Sequence, residues 1–348
     1  MLVDSQTNGS HHSDPQFFYD TSMSPILEAG QIINKYYLWV VFAFGFPGNL
    51  ATMITISRMR HFGSFVMYVA LLAISDNLAI IVKILFYQLL LHKVPLGSAG
   101  CRTLQYSGVV LISYCNWVLV LMAVERLVAV RYPFRIHFQS CLSSRKTACI
   151  VTVVAILICL LNMPILWASE YNSDIGWCHV KSTPLLQIIH WISTSIYFFV
   201  PFTILAVCNF LVAREIRISF RLRNSFRSVH NFMVGRRSSD VPIQKQIMIM
   251  LFTATFMFIL LHFPICLFLI VDTYWEAQIG TTSYAWKYLA QQISYVLSDS
   301  NHAFNFYLYF VSARKFRAHF TNMLVICEKK HKCSRCAEER YQLRRLHT

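Results

Sequence analysis

Long apolar runs separated by short polar stretches dominate this chain. Seven such runs extend roughly from Lys35 to Ser57, Phe65 to Leu91, Ala99 to Val130, Lys146 to Ala168, Leu186 to Ile218, Ile243 to Val271 and Tyr284 to Phe310. About 20 mostly apolar residues, rising ~1.5 Å each as a helix, cross a ~30 Å hydrocarbon layer. The pattern therefore predicts seven spanning helices. The last run is the least apolar, holding Ser298, Asp299, Ser300, Asn301, His302 and Asn305. Polar residues inside a span can face a bundle interior or water, so it still counts as a span.

Composition agrees with this reading. Apolar residues make up 56% of the 348 and charged ones 14%, against roughly 25% charged in a soluble domain. The expected fold is an all-α membrane protein. It has an extracellular tail over 1–33, a seven-transmembrane helix bundle over 34–310, and a short interfacial eighth helix with a basic tail over 311–348.

Charge sets the orientation, because short cytoplasmic loops collect Lys and Arg. Arg58, Arg60, Arg131, Arg135, Arg145, Lys146, the Arg214–Lys245 stretch and the tail from Arg314 fall on one side. The other side has only Lys35, Lys93, Arg102, Lys181 and Lys287, and its N-terminal tail carries Asp4, Asp14, Asp20 and Glu28. The N-terminus is thus expected outside and the tail inside. The net charge of +15 becomes a cytoplasmic surface facing anionic lipid, which leaves no reason to invoke nucleic acid. Residues 1–33 have no apolar signal core, so the first span is expected to act as its own signal anchor. Asn8-Gly9-Ser10 on the outer side is a glycosylation sequon.

Eleven cysteines follow the same topology. Cys115, Cys149, Cys159, Cys208 and Cys266 lie in spans, and Cys141, Cys327, Cys333 and Cys336 lie on the reducing side. Only Cys101 and Cys178 reach the oxidising face, so a disulfide, if one exists, joins those two. Cys333-Ser-Arg-Cys336 lacks the second ligand pair of a zinc site. The tail cysteines read as palmitoylation candidates or as unmodified thiols.

A family resemblance then emerges from motifs in order. Gly48-Asn49 lies in the first span and Leu72-Ala73-Ile74-Ser75-Asp76 in the second. Cys101 is followed 25 residues later by Arg126, within Glu125-Arg126-Leu127, and then by Arg131-Tyr132-Pro133-Phe134. Pro164, Pro201 and Pro264 mark spans four, five and six. The seventh ends with Asn301 and Asn305-Phe306-Tyr307-Leu308-Tyr309, followed by Phe316-Arg317. Over about residues 35–325 the chain resembles a rhodopsin-family G-protein-coupled receptor.

The resemblance implies a plasma-membrane receptor that binds an extracellular ligand and couples to a heterotrimeric G-protein. Arg126 would be the switch, held by Glu125 at rest, with Tyr309 beside it. Gln244 and Lys245 stand where an acid would tie the sixth span to Arg126, so no strong ion pair is expected there. Asp76, with Asn49, Asn301 and Asn305, would hold a sodium ion or form a purely structural polar network. Cys115, a poor sodium ligand, takes a place usually held by a hydroxyl. Phe316, Phe320 and Leu324 make an i, i+4, i+8 stripe suited to an interfacial helix.

Departures are also legible. Leu127 replaces a usual Tyr, Phe306 a Pro, and Asn209 a frequent Tyr. His262 stands in place of a Trp toggle, and the fourth span lacks its usual Trp. His262 is either a conformational pivot, donor and acceptor at once, or a hydrogen-bonded core histidine. Lys83 and Asp299 are charged residues deep in apolar spans, and each alone would cost several kcal/mol. Lys83 lies almost two turns, about 10 Å, outward of Asp76, and Asp299 lies about 9 Å outward of Asn305. Since Asp76 and Asn305 are neighbours in the resembled fold, a salt bridge between the second and seventh spans is expected at the pocket floor.

The ligand is narrowed by exclusion. Gly108 stands where amine receptors carry Asp, and Asp299 where opsins carry a retinal-binding lysine. Phe86, Tyr87, Gln105, His190, Tyr197, Gln291, Gln292 and Tyr295 line the outer halves of the spans with aromatic and amide groups and few fixed charges. Such a pocket suits a peptide, and the chain is similar to neuropeptide receptors. A non-peptide small molecule is the alternative. A secondary transporter would show internal repeats, and none is visible. No catalytic constellation points to an enzyme.

Overall fold

The computed structural model describes residues 24–58, 63–131, 144–172, 177–180, 183–230, 243–272, 274–312, 314 and 316–325. Seven long helices fill almost all of it: α1 (Pro25–Ser57), α2 (Gly63–Leu91), α3 (Gly97–Arg131), α4 (Ser144–Asn162), α5 (Pro184 to His230), α6 (Ile243–Asp272) and α7 (Thr282–Ser312). Large apolar side chains such as Phe44, Leu157, Phe210 and Phe263 are exposed on the outside, as lipid-facing positions must be. Among the described residues six helices are long and apolar enough to cross a membrane. The exception, α7, turns Ser294, Ser298, Asp299, Asn301, His302 and Asn305 into the interior.

α1 begins ten residues before the expected span. Ser24 caps it by accepting from Leu27 N at 3.4 Å, and Pro25 occupies its first turn, where no amide is needed. The 1–33 tail therefore ends in helix from Pro25 onward. Hydropathy marks only what lies in lipid, so it missed the projecting turns. Gly45 lets α1 approach closely, since a Cβ there would meet Ile80 Cδ1 at 2.8 Å and Ala303 Cα at 3.1 Å.

Prolines act differently by position. Pro47 and Pro264 lie inside continuous helices. Before Pro164, α4 breaks, and one short turn, Ile165–Ala168, completes the span. α5 changes pitch: α-helical over Pro184–Thr194, π-helical over Ser195–Phe199, then α-helical over Val200–His230. Pro201 has no N–H to offer the Tyr197 carbonyl, and Asn116 Nδ2 on α3 donates to that oxygen at 2.9 Å. Trp117 Nε1 donates to the Ile196 carbonyl at 3.1 Å. Neighbouring side chains thus satisfy the backbone that the π turn and proline disturb.

The main core packs around α3, with Leu72, Leu119, Met122, Leu205, Phe258, Tyr309 and Phe316 buried together. After α4 comes a feature the hydropathy pattern did not carry, an antiparallel hairpin of β1 (Ser169–Asn172) and β2 (Trp177–Val180). A disulfide joins Cys178 on β2 to Cys101 on α3, with Cα atoms 5.9 Å apart. Arg102 Nε adds a bond to the Ser169 carbonyl at 3.0 Å.

Residues 316–325 are helical. Their apolar stripe splits in a way the sequence reading did not expect. Phe316 is buried against Tyr309 and Phe306, and Phe320 packs on Phe306 at 5.2 Å, while Leu324 stays exposed. Phe306, standing where Pro was expected, supplies the aromatic face that draws these rings onto α7. Arg317 Nη1 donates to the Phe310 and Val311 carbonyls at 2.9 Å each, satisfying the end of α7.

Candidate functional site

Polar side chains occupy the bundle axis in three layers. In the outer layer Lys83 Nζ lies 2.5 Å from Asp299 Oδ2, joining α2 to α7. The Asp299 side chain is 7% exposed and that of Lys83 30%, so the ammonium reaches the more open end of a buried pair. The Tyr295 ring lies 5.6 Å from the ammonium.

The expected pocket residues do not all share one role. Tyr87, Tyr197, Gln291 and Tyr295 are half-buried, facing the interior between helices. Gln105 is buried and accepts from the Ser169 hydroxyl of the hairpin, so it anchors the lid over the bundle. Gln292 is buried too, and its Oε1 has no partner among the described residues. Phe86 is buried in the apolar cluster with Leu90, Cys101 and Cys178, where it packs beside the disulfide. The His190 side chain and Asn8 lie outside the described residues. Lys287 and Asp272 add an ion pair of 2.9 Å between the outer ends of α7 and α6.

The middle layer centres on Asp76, which is fully buried. Asn305 Nδ2 donates to its Oδ2 at 2.8 Å, and His302 Nδ1 donates to its Oδ1 at 2.7 Å. Cys115, also fully buried, lies against the same carboxylate. Asn49 sits one step away, donating to Asn77 Oδ1 at 2.9 Å and to the His302 carbonyl at 3.0 Å. Asn301, expected on Asp76, is buried with Nδ2 unpartnered among the described residues, and His302 holds the carboxylate instead. The sequence reading noted His302 only as a polar residue. The available signal was spacing, since His302 and Asn305 sit at i and i+3 on one helical face.

These donors do not suit sodium. A hard monovalent cation calls for oxygen ligands, and here both carboxylate oxygens already accept hydrogen bonds beside a thiol and an imidazole.

Above this layer His262 is fully buried and stacked on Phe258, with ring centroids 3.9 Å apart, and tilted against Phe198 at 5.6 Å. Its Nδ1 donates to the Phe258 carbonyl at 3.1 Å, and Nε2 has no partner among the described residues. The ring thus bridges the α5 and α6 aromatics just before Pro264.

At the inner layer Arg126 Nη2 lies 3.1 Å from Glu125 Oε1, which also accepts from Ser64 Oγ on α2 at 2.7 Å. Tyr309 is almost wholly buried, its hydroxyl unpartnered among the described residues. Arg131 on α3 pairs with Glu215 on α5, a contact that no reading of separate segments anticipates. The side chains of Gln244 and Lys245 lie outside the described residues.

Comparison with known proteins falls into the same pattern. Residues 48–309 match the family model described as 7 transmembrane receptor (rhodopsin family). The neuropeptide S receptor of Homo sapiens is 27% identical over 199 residues, 52% of this chain and 50% of that receptor. Neurotensin receptor type 1 of Homo sapiens is 23% identical over 211 residues, covering 55% and 49%. The chain spans about half the length of these two relatives in the matched stretch. A Caenorhabditis elegans protein named only as a probable G-protein coupled receptor is 21% identical over 329 residues, covering 86% and 71%.

Proposed function

The chain belongs to the rhodopsin family of seven-transmembrane receptors, and on that premise we propose that it is a peptide receptor of the plasma membrane, with its N-terminus outside, that activates a heterotrimeric G-protein at its inner face. It is a multi-pass membrane receptor and not an enzyme.

The observation that carries the reading is the stack of polar layers through an otherwise apolar bundle. Intramembrane charges are costly and mark functional paths. Here they run from Lys83–Asp299, through Asp76 with His302 and Asn305, to Glu125–Arg126. The outer pair belongs to α2 and α7, so a ligand group that competes for either charge loosens one helix from the other. α7 also carries His302, Asn305 and Tyr309, which connects that movement to the inner layer. There, Arg126 is held by a charge-assisted contact to Glu125 at the inner boundary. Release of that contact turns the guanidinium toward a G-protein.

Two features support a peptide. The outer walls combine Tyr87, Tyr197, Gln291 and Tyr295, amphipathic groups that recognise backbone amides and mid-sized side chains. The two relatives of human origin are named for neuropeptide S and neurotensin.

The test is a cell-based screen of a neuropeptide library with G-protein activation as the readout. At least one peptide is expected to give a saturable response that is absent from untransfected cells. Responses confined to non-peptide compounds would overturn the ligand class while leaving the receptor reading in place.

A further inference from the structure

The outer ion pair is lopsided. Lys83 on α2 keeps 30% of its side chain exposed, whereas Asp299 on α7 keeps 7%. A group entering from the outer side therefore meets the ammonium before the carboxylate. We infer that Lys83 is the docking point for a carboxylate group of the ligand. The inference rests on the receptor reading above and deepens it by naming the charge that the ligand carries to the pocket floor.

The donor count leaves room for such a group. A lysine ammonium has three N–H donors. Among the described residues Lys83 spends one, on Asp299 Oδ2 at 2.5 Å. The Tyr295 ring, 5.6 Å away, faces the same charge. A second carboxylate accepts the donors that remain, in a charge-assisted bond that a neutral amide oxygen does not match. An incoming amine fares worse. It meets a like charge first, and the carboxylate it needs is the nearly closed member of the pair.

The approach to Lys83 is lined in register. On α2, Tyr87 stands four residues, about 6 Å, outward on the same face. On α7, Tyr295 and Gln291 stand four and eight residues outward of Asp299, again on one face. All three side chains are half-buried. α3 contributes space rather than a wall. Outside its own helix, a Cβ built on Gly108 would meet nothing closer than Val82 Cγ1 at 4.0 Å, on the α2 turn that carries Lys83. The phenols and the amide along this path can hydrogen-bond a peptide chain whose acid group reaches the floor.

Docking has a mechanical consequence. Two anions then share one ammonium, and their repulsion drives Asp299, and α7 with it, away from α2. Carboxylate ligands are therefore expected to raise signalling, a consequence that the binding test does not need.

The test is affinity selection on the full chain, purified and reconstituted, with mass spectrometry of the retained compounds. The probe is a mixture of N-acetylated hexapeptides in two matched forms, free acid and amide at the C-terminus, each with and without Asp or Glu. Arylalkanoic acids and their amides are included as non-peptides. Compounds with a carboxylate are expected to be retained about tenfold or more above their amide counterparts, the scale of one charge-assisted hydrogen bond. Preference for free acids that lack Asp and Glu assigns the chain end. Preference for amides that contain Asp or Glu assigns the side chain. The paired change Lys83→Met with Asp299→Asn removes both charges without stranding either, and it is expected to abolish the preference. Carboxylates retained no better than their amides by the wild-type chain would overturn the proposal, a result that needs no variant to fold. So would an undiminished preference in the paired variant. Arylalkanoic acids retained over their amides, with no peptide retained, would support the carboxylate site and overturn the peptide class instead.

Discussion

Arg126→Ala is expected to reach the cell surface in normal amounts and to lose nearly all G-protein activation by the most active peptide of the screen. The guanidinium is half-buried at the inner end of α3, held to Glu125 at 3.1 Å. Truncating one partner of a hydrogen-bonded charge contact at an interface costs roughly 2 kcal/mol or more, or about 30-fold in coupling. Glu125 keeps the Ser64 hydroxyl at 2.7 Å and sits near the aqueous boundary, so its exposure to an unpaired state is limited and folding should survive. Glu125→Gln separates the two roles of the pair. It removes the restraint but keeps the arginine, and it should raise signalling without ligand. Full peptide response in Arg126→Ala, measured at matched surface density, would contradict the assignment.

The outer ion pair should produce the other large effect. Lys83→Met or Asp299→Asn is expected to cut surface expression several-fold. Removing one member of a buried pair costs about 3 to 5 kcal/mol because the other charge is left uncompensated. With Lys83 30% exposed, the lower end of that range applies to Asp299→Asn. Lys83→Met strands the more deeply buried carboxylate and should be the worse of the two. The exchange Lys83→Asp with Asp299→Lys restores opposite charges at one depth and should recover part of the expression. Surface labelling of the two single variants and the exchanged pair decides it. An exchanged receptor no better than either single variant would rule out a stabilising pair.

The Lys83–Asp299 contact was legible in the sequence for a physical reason. A charge inside an apolar span needs a partner, and helical rise fixes its depth. Counting turns outward from Asp76 and Asn305 placed both at one level, and the side chains meet at 2.5 Å. The seven spans were legible because lipid imposes a length on each. What escaped lies where lipid imposes nothing. The early start of α1 and the hairpin of β1 and β2 stand outside the hydrophobic zone, and each strand has only four residues. The π turn Ser195–Phe199 depends on Asn116 and Trp117 of another helix. In the centre, the expected Asn301 contact failed because polarity alone does not say which polar residue on a face wins. His302 sits one helix position further round, about 100°, and so meets Asp76. The packing partners of Phe86 and Phe316 were not legible for a related reason: an aromatic residue near a helix end can face lipid, a pocket or its own neighbours, and only packing chooses.

The most direct test of the receptor reading is nucleotide exchange on purified heterotrimeric G-proteins by the reconstituted full chain, with and without the active peptide. The expected result is exchange accelerated by peptide on at least one G-protein class, with the acceleration lost in Arg126→Ala. Peptide that binds the wild-type chain saturably yet accelerates exchange on none of the G-protein classes would contradict it.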